Sequence, residues 1–165
     1  MTVIHLAHTV PVNPPGASPV LTQAQVFAGF QRKIRKPWEF VPAIESAQVL
    51  ADEGGVVRRR VVFKPDASGS SSSSSEAADR TVVEVCTEHA PSRVDYELDN
   101  GSTVLNVISA GSSGVATDLY VTYIFAWRHD ELEAGSAAAE ATEARHKEAS
   151  LLLLFFDPPT AKHTV

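Results

Sequence analysis

Arg59 is a residue whose type and position could support chemistry. It lies in the strand pattern Val56–Phe63, on the face that carries the inward apolar residues of that strand. A buried guanidinium must be paired, and its planar fork fits a carboxylate or an enolate oxygen. We therefore expect Arg59 either to anchor an anionic or carbonyl-bearing ligand and take part in catalysis, or to form a structural ion pair with Glu84 or Glu97.

Asn106 is a polar amide on a strand face that it shares with Val104 and Ile108. An amide on the wall of a cavity can hydrogen-bond the carbonyl group of a ligand. The alternative is an amide whose hydrogen bonds are satisfied by the neighbouring backbone or by Arg59. Both interpretations stay open at the level of sequence.

Four aromatic side chains lie on predicted inward faces: Tyr96, Tyr123, Phe125 and Trp127. Inward aromatic residues are usually core, but a phenol that projects into a cavity can donate a proton or stabilise an oxyanion. We predict that these four residues line a ligand site and that Tyr123 takes part in catalysis.

Six histidines raise the question of acid–base or metal chemistry. His129 follows a strand and is predicted either to be catalytic at a cavity mouth or to cap the last helix. His5 and His8 are three apart on a strand and therefore face opposite sides, while His146 and His163 are expected to be exposed. No cluster has metal-ligand spacing, so no metal site is expected.

The bulk composition favours one globular domain. The chain has 165 residues, of which 44% are hydrophobic and 21% charged, and this is enough for one domain with its own core. The formal net charge of −6 argues against a nucleic-acid-binding protein, because such proteins normally carry a basic patch.

Cysteine content and short motifs limit the chemistry further. Cys86 is the single cysteine, so a disulfide within the chain is excluded, and its neighbours predict an outward-facing or loop-covered thiol. The dinucleotide, P-loop and nucleophile-elbow motifs are absent, so no cofactor is expected. The N-terminus does not resemble a signal peptide, and Leu151–Phe156 is too short to span a bilayer. A cytoplasmic protein is the expectation.

Apolar periodicity predicts a strand, two short helices, six strands and a final helix. Thr22 and Gln25 form a capping-box signature at the start of the first helix. A composition rich in Ala, Glu and Lys predicts the last helix over Ala137–Ala149. Asn100-Gly101 predicts a two-residue hairpin with a type I′ turn, because both residues tolerate positive φ. Short turns between strands imply an α+β domain with an antiparallel sheet.

Four strings in this order resemble the AtaL-like branch of the START/Bet v 1-like (SRPBCC) superfamily. The resemblance covers roughly residues 3–150. The strings are Pro11-Val12-Asn13-Pro14, Phe40-Val41-Pro42-Ala43-Ile44, Ser102-Thr103-Val104-Leu105-Asn106-Val107-Ile108-Ser109 and Phe125-Ala126-Trp127-Arg128-His129.

The resemblance implies a single domain over residues 1–165 with a helix-grip fold, in which a curved antiparallel sheet of about seven strands wraps a C-terminal helix. It also implies an internal cavity for a hydrophobic small molecule. The protein would be a cofactor-independent cyclase, isomerase or dehydratase of secondary metabolism, or a carrier without catalysis, and a monomer or homodimer. Two segments depart from a compact domain: the Ser-rich residues 66–79, predicted as a flexible loop, and an atypical C-terminus at residues 150–165.

Overall fold

The structure is a computed structural model that describes residues 1–65 and 80–152, with side chains to residue 150. The loop predicted at 66–79 lies outside the described residues, as does most of the segment at 150–165. The strands are β1 (Thr2–Pro11), β2 (Ile44–Glu53), β3 (Val56–Phe63), β4 (Thr81–His89), β5 (Arg93–Leu98), β6 (Thr103–Ala110) and β7 (Leu119–His129). The helices are α1 (Gln23–Arg35) and α2 (Ala137–Leu152), with a 3₁₀ turn at Pro37–Glu39 in place of the second short helix.

The seven strands of the described residues form one antiparallel sheet in the order β1-β7-β6-β5-β4-β3-β2. Strands β1 and β2 follow each other in the chain but form opposite edges, and α1 lies in the connection between them. Helix α2 contacts the inner face through a 2.8 Å hydrogen bond between His8 Nε2 and Ser150 Oγ. A curved sheet around a C-terminal helix confirms the predicted helix-grip fold.

Helix α1 begins where the sequence predicts it. The Thr22 hydroxyl accepts a hydrogen bond from the Gln25 amide at 3.4 Å, and the Gln25 side chain accepts one from the Thr22 amide at 2.9 Å. The Asn13 side chain bonds both main-chain groups of Leu21 and the carbonyl of Thr117. The entry to α1 is thereby fixed against the loop before β7.

Alternation along the strands gives the sheet an inner face that packs against α1. In β3, Arg59 is buried with its apolar neighbours, whereas Arg58 and Arg60 are exposed, as predicted. The core combines this face with the apolar stripe of α1. It comprises Val26, Phe27, Phe30, Ile34, Val57, Cys86, Val94, Tyr96, Ile108, Leu119, Val121, Tyr123 and Phe125.

The hairpin between β5 and β6 has a different turn from the predicted one. Gly101 has a φ of +81°, but Asn100 has no positive φ, so the type I′ prediction is wrong. The Gly101 amide donates to the Leu98 carbonyl and the Leu98 amide to the Ser102 carbonyl, both at 2.9 Å. This pattern is typical of a three-residue turn closed by a glycine bulge.

Cys86 lies inside the molecule, contrary to the sequence prediction. It is fully buried and pairs with Tyr96 across the sheet. Its face also carries Glu84 and Glu88, whose charges predict a hydrated face, but Glu84 is paired with the buried Arg59 and Glu88 with Arg35 of α1. Burial raises the pKa of Cys86 to about 12, so the thiol is uncharged near neutral pH and is a poor nucleophile.

Candidate functional site

Polar side chains form a row across the inner face of the sheet. Tyr123 of β7 lies in register between His8 of β1 and Asn106 of β6. Val94 and Glu88 continue the row on β5 and β4. Directly opposed residues of antiparallel strands point to the same face. An imidazole, a phenol, an amide and a carboxylate therefore share one line on a face that is otherwise largely apolar.

Helix α1 brings Lys33 to the middle of this row. Its Nζ lies 5.1 Å from the ring centroid of Tyr123 and 6.0 Å from that of Tyr96, within the range of a cation–π contact. Lys33 as a whole is half-buried, but its amine lies among side chains that are buried. The surroundings of the amine, and not the mean exposure of the residue, decide its charge.

Asn106 provides a close polar contact for this amine. With the amide oxygen directed at Lys33, that oxygen lies 3.1 Å from Nζ and the amide nitrogen donates to the Leu105 carbonyl at 3.3 Å. The opposite orientation would place an NH₂ group against an ammonium group, and neither can accept a hydrogen bond. The amide atom that faces Lys33 also lies 3.5 Å from the Tyr96 hydroxyl. Asn106 is thus satisfied by Lys33 and the backbone, and not by Arg59.

The environment of Lys33 makes the neutral amine accessible near neutral pH. Burial first, and then the positive charge of Arg59, lower its pKa from 10.5 to about 8, against the opposing influence of Glu84 and Cys86. A lysine in this state supplies both protonated and unprotonated amine near neutral pH. Lys33, Tyr96, Asn106 and Tyr123 are referred to below as the lysine cluster.

The two phenols of the lysine cluster remain protonated. Burial raises the pKa of Tyr123 to about 12 and raises that of Tyr96 well above its ordinary value. Within residues 1–65 and 80–150, the Tyr123 hydroxyl has no hydrogen-bond partner. Each phenol is therefore a neutral O–H that can donate to an oxygen atom in the interior.

Arg59 forms the structural ion pair that the sequence allowed as an alternative. Its Nε donates to Glu84 Oε2 at 2.7 Å, and Nη2 lies 2.6 Å from the same oxygen. Its Nη1 donates to the carbonyls of Lys33 at 2.9 Å and Ile34 at 2.6 Å, near the C-terminal end of α1. These bonds leave the guanidinium little capacity to bind a ligand directly. Arg59 instead fixes the part of the backbone from which the Lys33 side chain extends.

The remaining predicted site residues form a second group near the end of β7. The Phe125 and Trp127 rings stack with centroids 5.5 Å apart, and His146 of α2 stacks on Trp127 at 5.2 Å. His129 Nε2 lies 2.9 Å from His146 Nε2, and its Nδ1 lies 2.9 Å from Glu131. His146 is half-buried, so the prediction that it is exposed is wrong.

His129 and Tyr123 are both predicted catalytic residues, but the structure does not bring them together. They are six residues apart on β7, which corresponds to about 20 Å along an extended strand. The imidazole of His129 contacts α2 and the loop after β7. Its position agrees with a role at the end of the sheet, where it links the last strand to the C-terminal helix.

A surface depression of about 350 Å³ lies between the start of β1 and the start of α2. None of the residues that line it belongs to the lysine cluster; they are Thr2, Val3, Ile4, His5, Ala134, Gly135, Ala139, Glu140 and Glu143. Across residues 1–65 and 80–152, no group of three or more His, Cys, Asp or Glu is placed to hold a metal ion. None of the described helices is long and apolar enough to cross a membrane.

Lys33 is the residue of this site that sequence reasoning missed. It belongs to a run of cations at the C-terminal end of α1, where positive charge suits the helix dipole. The helix dipole alone therefore accounts for a lysine at this position. A second signal was present, because Lys33 follows Phe30 by three residues and Val26 by seven. That spacing places it on the apolar stripe of the helix.

The family follows from the sequence of most of the chain. Residues 6–152 match the family model described as AtaL, acetylaranotin biosynthesis cluster protein L. The chain belongs to the AtaL family. None of the curated proteins matches it.

Solved structures with the same fold include three proteins that are described as ARO/CYC or aromatase/cyclase proteins. This AtaL-family chain superposes on the di-domain ARO/CYC StfQ from the steffimycin pathway with a TM-score of 0.64 at 10% identity, covering 92% of the chain and 48% of StfQ. For the di-domain ARO/CYC BexL from the BE-7585A pathway the TM-score is 0.64 at 15% identity, and the alignment covers 99% of this chain and 51% of BexL. For the Zhui aromatase/cyclase from Streptomyces sp. R1128 it is 0.55 at 16% identity, with 92% of both chains covered. The chain thus spans about half the length of the two di-domain proteins, and at these identities the likeness shows the fold alone.

Proposed function

We propose that this AtaL-family protein is a cofactor-independent cyclase-type enzyme of secondary metabolism that acts on a hydrophobic, carbonyl-bearing small molecule. The ligand would lie against the inner face of the sheet, with the lysine cluster at its carbonyl groups and Phe125 and Trp127 along its apolar part. The fold neighbours that are aromatase/cyclases support the reaction class. A cytoplasmic location remains a prediction.

The observation that carries the proposal is the meeting of Lys33, Asn106 and two phenols on one apolar face. An amine and neutral O–H groups can stabilise the oxyanion that forms when a ketone is enolised or attacked by a carbanion. A dry environment strengthens such contacts, because little water competes for them. Ring closure by an internal aldol reaction needs this assistance and requires no external oxidant or reductant.

Within this proposal, the predicted catalytic residues take different roles. Tyr123 donates a hydrogen bond to the developing oxyanion, and its phenol is suited to this because its raised pKa keeps it protonated. Arg59 positions Lys33 through the backbone. His129 holds α2 against the sheet through His146 and does not touch the reacting atoms.

A carrier without catalysis is the second candidate. The observation that favours it is the satisfied state of the Asn106 amide, which already bonds Lys33 and the Leu105 carbonyl. A polar side chain whose hydrogen bonds are already satisfied is compatible with a binding site for an apolar ligand, because ligand binding then leaves no polar group without a partner.

Native mass spectrometry of the purified protein, followed by incubation with linear polyketone substrates, tests both candidates. The enzyme proposal expects Tyr123→Phe to reduce turnover by about tenfold to a hundredfold while ligand affinity changes little. Tyr120→Phe is the matched control, because Tyr120 pairs with Ser109 and Pro11 on the opposite face of the sheet. A ligand that binds but is never converted, by wild type or either variant, would instead identify a carrier.

A further inference from the structure

We propose that Lys33 Nζ is a nucleophile that forms an imine with a ketone or aldehyde carbon of the bound ligand. The inference rests on the proposed function for the class of ligand, a carbonyl compound held at the inner face. It adds a covalent bond to a specific atom of the chain. The lysine cluster then acts as a covalent site and not only as an oxyanion site.

The nucleophilic state of Lys33 follows from its burial, from the charge of Arg59 and from the absence of an anion among its nearest described contacts. Tyr96 and Tyr123 present ring faces to Nζ, and Asn106 presents an amide oxygen at 3.1 Å. None of these three side chains is an anion that would hold the amine fully protonated. The neighbouring charges are Arg59, which opposes protonation, and Glu84, which is already bound by Arg59.

The fraction of neutral amine distinguishes Lys33 from surface lysines. At pH 8, about half of the molecules carry a neutral amine if the pKa is about 8. For a lysine with the ordinary value the neutral fraction is below about one in a hundred. A lysine activated by a dry site or a nearby cation is a known route to imine formation with carbonyl substrates.

The neighbouring groups provide what the addition and dehydration steps need. The neutral amine donates one hydrogen to the Asn106 oxygen, which leaves its lone pair free to attack. The nitrogen forms a bond to the carbonyl carbon as the C=O π bond breaks, and one of its two hydrogens is transferred as a proton to the carbonyl oxygen to give a carbinolamine. A phenol of Tyr96 or Tyr123 can donate a proton to this hydroxyl group, which departs as water when the C–O bond breaks, and the phenolate then takes the remaining hydrogen of the nitrogen as a proton to leave the imine. The balance is one amine and one carbonyl giving one imine and one water.

Two partly buried side chains lie beside the lysine cluster on the inner face. Val104 pairs with Tyr96 across β5 and β6, and Leu98 lies two residues further along β5 on the same face. Both are only partly buried, unlike the core residues that they contact. A ligand that covered these two side chains would bring its carbonyl group next to Tyr96 and Lys33.

Pentane-2,4-dione is a suitable probe, because amines condense with it to a stable enaminone after loss of one water. The folded wild-type protein is treated at pH 8, and intact mass and peptide mapping then locate the adduct. A parallel sample is treated with a simple ketone and borohydride, which reduces the imine to a stable secondary amine. We expect Lys33 to be labelled at least about tenfold faster than Lys36, which is exposed near the same helix end.

Two substitutions of Lys33 and one control substitution complete the test. Lys33→Met should abolish the rapid adduct, and Lys33→Arg should do so while keeping a positive charge in the interior. Lys36→Arg is the control and should leave the rapid adduct unchanged. The comparison of Lys33 with Lys36 in wild type needs no variant, so a variant that folds poorly does not remove the test.

The outcomes separate this inference from the proposed function. Labelling spread evenly over exposed lysines, or a rapid adduct that persists in folded Lys33→Met, overturns the imine. Turnover of a polyketone without any adduct trapped at Lys33 supports the enzyme and overturns the imine. A rapid adduct at Lys33 with no turnover of any polyketone supports the reactive lysine, and the cyclase proposal then fails separately.

Discussion

Arg59 donates a hydrogen bond to the main-chain carbonyl of Lys33, so a buried guanidinium on the sheet holds the backbone that carries the buried amine. The same guanidinium binds Glu84, and both side chains are almost fully buried. The ion pair therefore acts on the lysine cluster indirectly, through the backbone of α1. Its effect on chemistry is one of position and of electric field, and it needs no contact with a ligand.

Removing one partner of this pair should destabilise the protein strongly. Arg59→Met leaves Glu84 as an uncompensated buried charge and leaves the carbonyls of Lys33 and Ile34 without their donor. We expect the free energy of unfolding to fall by about 3–5 kcal/mol, measured by urea denaturation. Arg58→Met, on the exposed face of the same strand, should change it by less than about 0.5 kcal/mol. The double variant Arg59→Met/Glu84→Gln should recover part of the loss; no recovery would contradict the pairing.

Asn106→Asp should raise the pKa of Lys33. The substitution places a carboxylate where the amide oxygen now lies, 3.1 Å from Nζ. An opposite charge at this distance favours the ammonium form and should move the pKa upward by about one to three units. The pH dependence of pentane-2,4-dione labelling, or carbon NMR of labelled lysine, measures the shift. Asn100→Asp in the exposed turn should leave the labelling curve of Lys33 unchanged.

Lys33 should make the stability of the protein depend on pH in the alkaline range. Its folded pKa of about 8 is below the ordinary 10.5, so the unfolded chain binds more protons between these values. The free energy of unfolding then rises with pH from about 8 to 10.5, and the cost of the charged amine is fully present below pH 8.

Replacing Lys33 by Met isolates this contribution. The stability of Lys33→Met relative to wild type should be greater at pH 7 than at pH 10, by about 1–3 kcal/mol, the lower figure allowing for solvent screening at a half-buried residue. Urea unfolding of both proteins at the two pH values gives the difference, in which other titrating groups cancel. Lys36→Met, on the exposed surface, should show no such dependence; an equal dependence would contradict the assignment.

Protonation of His146 in acid should loosen the contact between α2 and β7. Burial, then the neighbouring His129, then Arg145 lower its pKa from 6.5 to about 4. Protonation is thus opposed in the folded state, and the stability contributed by this packing falls as the pH drops from 6.5 towards 4. The fluorescence of Trp127 reports the loss of its stacking partner.

The measurement needs two controls. Trp38→Phe removes the other tryptophan from the signal, and Trp38 is exposed. His146→Phe keeps an aromatic ring on Trp127 but cannot titrate, so its signal should be nearly flat over the same pH range. A transition of equal size in His146→Phe would place the responsible group elsewhere.

The fold could be predicted because each element carries its own local signal. Alternation along β3, β5 and β7 placed Arg59, Tyr96 and Tyr123 on the inner face correctly. The same rule gave the wrong orientation for Cys86, because it assumes that a strand face with glutamates is exposed to water. In the folded chain those carboxylates are bound by arginines of β3 and α1, and the face becomes dry.

The lysine cluster could not be predicted by reading one element at a time. Lys33 lies on α1, whereas Asn106 and Tyr123 lie on strands that are more than seventy residues later in the sequence. Their proximity depends on how α1 crosses the sheet, which local periodicity does not specify. The turn at Gly101 failed for a related reason, since the Asn-Gly pair permits several turn types and the hydrogen bonds of Leu98 select one.

The lysine cluster is divided between two parts of the chain. Residues 12–43 lie between the end of β1 and the start of β2 and take no part in the ladder pairs of the sheet, whose opposite edges they connect. The amine is carried by this connection, while the amide and the phenols are carried by the sheet. A substitution confined to the connection can therefore remove the amine while every strand keeps its sequence. Transplanting residues 12–43 between relatives would exchange the reactive group without altering any strand.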